Sequence, residues 1–350
     1  MKILVVDPIC PRGHINFNRI HINALNQIED NIDYIFKDDF GETLGLNSNN
    51  IVLKLRDRNY KSISRILNKS ILNRLKSIKH YLQIRQHLNK NKYDAIIFLS
   101  FDEILIPIIG NQKNLYLINH TNVSGVADSK LKKIIYTRYS KHATQIVFER
   151  DSYEYLDSLR IKNKIIVPHG LIEPFTIDNL NEEDDDIDGF KHVIFSPSRG
   201  SIDENLLNNL ITNNEFIKYL ESNEILFILR SQNITSNHKN IRVLTGHLSD
   251  ELYERLFCKA SLIFVPYTQS FKFRTSGVIM EGITNNKLML IRDIPAFRSY
   301  QFFLGDSCYF NESNCISKIK NMISDTSSES KVIYINKQLL QPDYSFLLNH

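Results

Sequence analysis

Residues 264–298, FVPYTQSFKFRTSGVIMEGITNNKLMLIRDIPAFR, decide how this chain is read. A buried strand over Leu262 to Val265 runs into a loop, a helix, and a second buried strand over Leu288 to Ile291. Thr275, Ser276 and Gly277 fall where the loop becomes the helix. Either Thr275 or Ser276 can cap the first free amides, and Gly277 lets a ligand approach the backbone closely. Open N–H groups at the positive end of a helix favour an anionic group there, typically a phosphate. Glu281 follows roughly one turn later, near the same end, where a carboxylate also serves simply as a partner of the helix dipole. Asn285 and Asn286 stop the helix before the next strand.

The rest of the chain bounds what such a site can belong to. With 350 residues it can bury two full cores. An apolar fraction of 42% and a charged fraction of 23% are those of an ordinary globular protein. A net charge of +4 is too mild to imply nucleic acid. The start, MKILVVDP, reads as a first strand, its apolar run too short for a signal peptide. No apolar run approaches the ~20 residues of a membrane span. Cys10, Cys258, Cys308 and Cys315 show neither a CxxC pair nor zinc spacing, so no metal site is expected and the thiols are expected reduced, in a cytoplasmic protein.

Short apolar runs alternate with helical patterns throughout, which predicts α/β domains with parallel sheets. In the first half strands are expected near Ile3–Val6, Asp33–Phe36, Ile51–Leu55, Ala95–Leu99, Leu115–Ile118, Gln145–Phe148 and Lys164–Val167. Open α/β sheets bind ligands at the carboxyl ends of their strands. Two places there carry suitable chemistry. Pro11-Arg12-Gly13-His14 follows the first strand; Gly13 can bring amides to a phosphate or sugar and His14 can touch an acceptor, although such a loop can be a plain turn. Asn119-His120-Thr121 ends an apolar strand, where His120 can orient a sugar hydroxyl or take up a proton, or merely cap the strand end.

Between them, Lys54 to Lys92 holds one acid, Asp57, against twelve Lys or Arg. Read as a helix from about Tyr60, it places Ile63, Ile66, Leu67, Leu75, Ile78 and Leu82 on one face. Lys61, Arg65, Lys69, Lys76, Lys79 and Lys90 gather opposite, with Leu72. Charge runs are usually solvated faces, but a one-signed stripe of this length can lie against anionic lipid. The acidic run 181–188 contains Asp-x-Asp spacings with polar flanks and reads as an exposed loop rather than a metal site. The second half repeats the alternation: Val193–Phe195, a helix to about Leu220, Ile225–Leu229, Arg242–Leu244, a helix through Phe257, then the opening stretch.

With its small-residue loop, acidic helix residue and a following strand ending in DIPAFR, that stretch resembles the donor-nucleotide loop of GT-B glycosyltransferases of the family 4 type. NIRVLTGHLSDELYERLFCKASLIFVPY is similar to the same family along its length, and Ile165-Ile166-Val167-Pro168-His169-Gly170 resembles its interdomain hinge. The match covers most of the second half and, in the first half, only topology. It implies two Rossmann-like parallel-sheet domains facing a central cleft. Residues 1–168 would form the acceptor-side domain, 169–330 the nucleotide-sugar domain, and 331–350 a segment crossing back to the first. It implies a metal-independent, retaining hexosyltransferase that needs no cofactor, in glycan or polysaccharide biosynthesis. The donor is a nucleoside diphosphate sugar and the acceptor a glycan or lipid-linked hydroxyl, with a peripheral contact through the basic helix 60–90 to the inner face of the membrane.

By the same resemblance Arg199, Ser276 and Gly277 would hold the diphosphate. Gly246 and His247 would lie at the base, Glu281 would bind donor hydroxyls, and His120 would lie near the reacting sugar. Two positions depart from the family: Phe273 stands where its first glutamate belongs, and Glu204 where its phosphate-binding lysine belongs. Lys272 and Arg274 are the nearest replacements for the missing charge. These departures keep open a non-catalytic scaffold of the same fold; a sugar-nucleotide epimerase also shares the fold, although no clustered carboxylates are evident in the sequence.

Overall fold

The computed structural model describes residues 1–56, 68–176, 187, 189–198, 200–325 and 336–349. Arg199, Lys61, Arg65, Ile63, Ile66, Leu67, the acidic run 181–186 with Asp188, and residues 331–335 lie outside the described residues. The chain divides into two compact units. The first comprises Met1–Gly170, Phe273–Thr275 and Leu340–His350; the second comprises Leu171–Lys272 and Ser276–Leu339.

The first unit is built on seven parallel strands: β1 (Ile3–Asp7), β2 (Ile32–Lys37), β3 (Ile51–Leu55), β4 (Ala95–Phe98), β5 (Leu115–Ile118), β6 (Thr144–Val147) and β7 (Lys164–Ile166). Their order across the sheet is β3-β2-β1-β4-β5-β6-β7. The central strands are buried on both faces, which is why they read as unbroken apolar runs. Successive side chains of a strand point to opposite faces. Leu4, Val6, Ile96, Phe98, Leu115 and Leu117 accordingly enter one core, with Tyr81, Ile84, Val123, Tyr136 and Leu156 from helices packed over it. Ile3, Val5, Ile97, Tyr116 and Ile118 enter the other, with Phe17, Ile22 and Leu25 from helix Ile15–Asn26 and Tyr344 and Leu347 from the chain's end.

The second unit carries six parallel strands: β8 (His192–Ser196), β9 (Ile225–Arg230), β10 (Ile241–Leu244), β11 (Leu262–Val265), β12 (Met289–Arg292) and β13 (Tyr309–Phe310), in the order β10-β9-β8-β11-β12-β13. Both sheets thus run outward from their first strand, return, and continue on its other side. That reversal opens a crevice at the carboxyl ends, beside β1 and β4 in one unit and β8 and β11 in the other. The two Rossmann-like parallel sheets expected from the apolar alternation are present.

Two expectations need correction, and one strand was missed. The helix expected to run to about Leu220 is two helices, Glu204–Thr212 and Asn214–Ser222. Asn213 leaves helical geometry between them, and its side chain accepts from the Phe216 amide at 2.9 Å. The two-residue β13 went unrecognised, since so short a pair carries no periodicity. The face assigned to the basic helix is only partly right: of its described members Ile78 packs against the core, and Leu75 and Leu82 do not. The described helix spans Lys69–Leu88 and buries His80, Tyr81, Ile84 and Leu88, while Leu75 and Leu82 are exposed together with Ile71. The long helical run hid the choice because two adjacent apolar stripes share it, and Tyr81 and Ile84 belong to the one that meets the sheet.

Gly170 tests this packing. Its φ is +91°, and a Cβ there would sit 2.3 Å from Ile20 Cγ2 and 3.2 Å from Pro342 Cδ. Gly170→Ala should lower unfolding stability by about 1–3 kcal/mol, seen as a lower denaturant midpoint. An unchanged midpoint would contradict the close approach of these three segments.

Candidate functional site

In the second unit the start of helix Gly277–Thr284 lies just beyond β11. Ser276, not Thr275, is the cap: its hydroxyl accepts from the Ile279 amide at 3.4 Å. Gly277 is exposed, and no atom lies within 4 Å of a Cβ built on it. The helix end is therefore open to a ligand, with its first amides directed outward. The Ser276 hydroxyl is tied to Tyr267 Oη at 3.2 Å, and Tyr267 to Ser198 Oγ at 2.6 Å, so a chain of hydroxyls links the ends of β8 and β11 to the cap.

Glu281 lies one turn into this helix, half-buried. Tyr253 Oη, from helix Asp250–Lys259, donates to its Oε2 at 2.5 Å. Burial pushes the carboxyl above its usual range, and the Tyr253 bond draws it partly back. Arg230 closes β9 and reaches both neighbouring strand ends, donating to Pro197 O at 3.1 Å and Gly246 O at 3.4 Å. Gly246 turns with φ +81° and has open space beside it, and His247 next to it is exposed. Glu204 lies in the first turn of its helix, but its carboxylate is bonded to Ser231 at 2.9 Å and Asn233 at 2.8 Å.

The three residues after Lys272 belong to the first unit. Phe273, at φ +50°, stacks on Tyr155 with centroids 4.6 Å apart. Arg274 Nε donates to Ser124 Oγ at 3.2 Å, and Thr275 Oγ1 donates to the buried Glu149 at 2.5 Å. Lys272 itself is exposed. The arrangement thus gathers Gly246, His247, Ser276, Gly277 and Glu281 at the carboxyl edge of the second sheet, and gives Arg274 and Thr275 partners in the first unit.

At the carboxyl edge of the first sheet, imidazoles and phenyl rings form one cluster. His14 and His120 stack with centroids 4.1 Å apart, and Phe17 lies 4.8 Å from His120 and 5.0 Å from His169. Burial lowers the pKa of His14 and, far more, of His120, where His14, His169, His21 and Arg274 add to the effect. His21 is fully buried; its Nδ1 meets Tyr344 Oη at 2.6 Å and its Nε2 meets the His169 carbonyl at 3.0 Å. Burial holds His21 down at about 3 and His169 at about 4. Asp7, the last residue of β1, organises the loop below. Its carboxylate accepts from the Ile9 and Cys10 amides at 3.0 and 2.7 Å, from Asn18 at 2.9 Å, and from Ser100.

Sequence reasoning missed Asp7, Arg230, Tyr253 and Tyr267. Asp7 had a signal, a carboxylate closing an apolar strand. Tyr253 had none, being one aromatic among several on an amphipathic helix. Among the described residues no group of three or more His, Cys, Asp or Glu could hold a metal ion, and no helix is long and apolar enough to cross a membrane.

No family model and no curated protein matches the sequence. Solved structures do resemble it. Anabaena HepE in complex with UDP matches with a TM-score of 0.60 at 13% identity, over 100% of this chain and 98% of that one. A putative UDP-N-acetylglucosamine 2-epimerase from Listeria monocytogenes matches with 0.61 at 11%, over 100% and 94%. The trehalose-6-phosphate synthase OtsA matches with 0.58 at 10%, over 97% and 94%. Identities this low leave the fold as the shared property, and with two parallel α/β sheets matched over their whole length that fold is GT-B.

Proposed function

We propose that this chain transfers a hexose from a uridine diphosphate sugar to a hydroxyl of a glycan or lipid-linked acceptor, as a family 4 type glycosyltransferase. The observation that carries this reading is the open start of helix Gly277–Thr284, with Glu281 held beside it by Tyr253. Solved structures of the same fold bind UDP and UDP-glucose, which favours uridine as the base. The first amides of the helix, with Ser276 and Gly277, would stabilise charge building on the leaving diphosphate. Arg199 would add a cation, with Lys272 and Arg274 as further sources. Gly246 and His247 would flank the base. Glu281 would accept donor hydroxyls on the oxygen that Tyr253 does not occupy. On the other unit Gly13, His14 and His120 would receive the acceptor. Glu204 is spent on Ser231 and Asn233, so the helix amides carry more of the phosphate than in relatives with a lysine there. No cofactor or metal enters this scheme.

Glu281→Gln separates the reading from a structural role. Charge-assisted hydrogen bonds are worth about 1.5–3 kcal/mol each, so donor affinity should fall roughly tenfold to a hundredfold in calorimetric titration. Folding stability should not fall at neutral pH. The native carboxyl has a raised pKa, so the folded state binds more protons than the unfolded one. Stability is then lost as pH rises from the unfolded value through the native one. The amide removes that loss and can still accept from Tyr253. Unchanged donor affinity with reduced stability would make Glu281 structural, and conversion of the donor into its sugar epimer without transfer would replace the proposal with an epimerase.

A peripheral membrane contact belongs to the same reading. Helices Lys69–Leu88 and Lys130–Tyr139 pack on one core of the first unit, contain no acidic residue, and expose Ile71, Leu75, Leu82, Leu131 and Ile134. Exposed cations flank these side chains at Lys69, Arg85, Lys130, Lys133 and Arg138. Anionic lipid fits both features. Charge reversal at Lys69, Arg85, Lys130 and Lys133 should abolish co-sedimentation with anionic vesicles, and high salt should weaken the parent protein's binding. Equal binding by the variant would remove the membrane from the proposal.

A further inference from the structure

Tyr253, on helix Asp250–Lys259, has little freedom to turn away from Glu281. Three phenylalanines pack around its ring, with centroids 6.1 Å away at Phe195 of β8, 6.3 Å at Phe175 and 5.9 Å at Phe257. The contacts with Phe175 and Phe195 are T-shaped, an arrangement that aromatic rings favour. Phe175 is in turn fastened to the end of the helix that carries Glu281. Its amide donates to Asn285 Oδ1 at 2.8 Å, and Asn285 Nδ2 donates to the Glu281 carbonyl at 2.9 Å. The cage and the carboxylate are thus fixed to one another, with the Tyr253 hydroxyl donating to Glu281 Oε2 at 2.5 Å.

That bond is made to the charged form of Glu281 and favours it, against a burial that disfavours it. Burial and the neighbouring Glu281 hold the Tyr253 phenol well above its usual range, so it stays a donor wherever the carboxyl titrates. The titratable groups facing Glu281 are Tyr253 and Glu254 on helix Asp250–Lys259 and Tyr267 after β11, while Arg230, closing β9, faces Tyr253. Glu281 Oε1 has no partner among the described residues and is not one of the enclosed polar atoms, so it meets solvent and can carry a proton there. Ionised, Oε1 only accepts; protonated, it becomes a donor and loses the charge that strengthens bonds from ligand hydroxyls.

We propose that Tyr253 is a positioning residue for donor binding: its hydroxyl keeps Glu281 an ionised acceptor, so that a nucleotide sugar is held at neutral pH and released in acid. The proposal rests on the donor-side reading of Glu281 and deepens it, adding what controls the proton on that carboxyl. A Tyr253 that served packing alone would leave the pH dependence of binding untouched.

The intact protein is titrated calorimetrically with UDP-glucose from about pH 5 to about pH 8.5, a range that begins above the ordinary value for glutamate. Affinity should be level at the alkaline end and fall as the pH drops through the raised value of Glu281, with buffer-dependent heats reporting a proton released on binding. Tyr253→Phe, which keeps the ring in its cage, should move the midpoint of that fall up by about one to two pH units. At the alkaline end its affinity should return to within about tenfold of the parent's. Glu281→Gln should abolish the transition, and adding Tyr253→Phe to it should cost less than about threefold. A uniform loss at every pH with the midpoint unmoved would make Tyr253 a packing residue and overturn the proposal. If Tyr253→Phe does not fold, the parent and Glu281→Gln decide. Affinity that is level throughout, or a transition that survives Glu281→Gln and so belongs to another group such as Glu254 or His247, overturns the proposal and leaves the donor reading intact. A parent protein that binds no nucleotide sugar at any pH removes both.

Discussion

A parallel strand covered on both faces has no room for an unpaired polar side chain, and this constraint shapes both units. Burying a polar group without a partner costs about 1–3 kcal/mol in proteins, against a whole-domain stability of about 5–15 kcal/mol. The central strands β1, β4, β5 and β11 are therefore apolar through their interiors, and much of the polar chemistry collects where strands end. Asp7 closes β1, Asn119 and His120 follow β5, Glu149 follows β6, Arg230 closes β9, and Tyr267 follows β11. Where a polar side chain is buried within a strand it is tied down: Gln145, fully buried in β6, is held by Asn119 and Tyr136, and Arg292, buried in β12, pairs with Asp203 and Glu312. Within each unit the sheet reverses direction beside its first strand, so Asp7 at the end of β1 and Tyr267 after β11 lie at strand ends where such a reversal opens a crevice.

Several of the polar groups at those ends are fixed by partners that restrict what they can do. Asp7 is saturated by backbone amides and by Asn18 and Ser100, so it shapes a loop rather than meeting a ligand. Glu281 is held through one oxygen by Tyr253, which orients it without exhausting it. Glu204, where a cation would be expected by resemblance, is committed to Ser231 and Asn233. Phe273 completes an aromatic stack with Tyr155. The two departures from the resembled pattern are thus built into local packing, and a diphosphate bound as proposed would rest more on backbone amides.

Much of this architecture was legible beforehand, because apolar runs of four to six residues separated by helical periods leave little choice but parallel α/β sheets. A cap at Thr275 or Ser276, which the structure narrows to Ser276, and the stop at Asn285 and Asn286 were legible for the same local reason: their side chains and the positive φ of Asn286 act within a few residues. What could not be read depends on distance along the chain. Tyr253 meets Glu281, Asp7 meets Ser100, and His21 meets both His169 and Tyr344, pairs that no spacing announces. The basic helix failed differently: Leu75 and Leu82 are apolar enough to be core, and only the position of the sheet shows that Tyr81 and Ile84 are.

The central claim is that the second unit binds a uridine diphosphate sugar at the start of helix Gly277–Thr284. Thermal unfolding of the intact protein against a panel of nucleoside diphosphate sugars tests it most directly. A ligand that binds only the folded state at a hundred times its Kd adds about 2.7 kcal/mol. A uridine diphosphate sugar should therefore raise the melting temperature measurably, and more than the matching guanosine or adenosine compounds. No shift with any member of the panel at millimolar concentration would contradict the account.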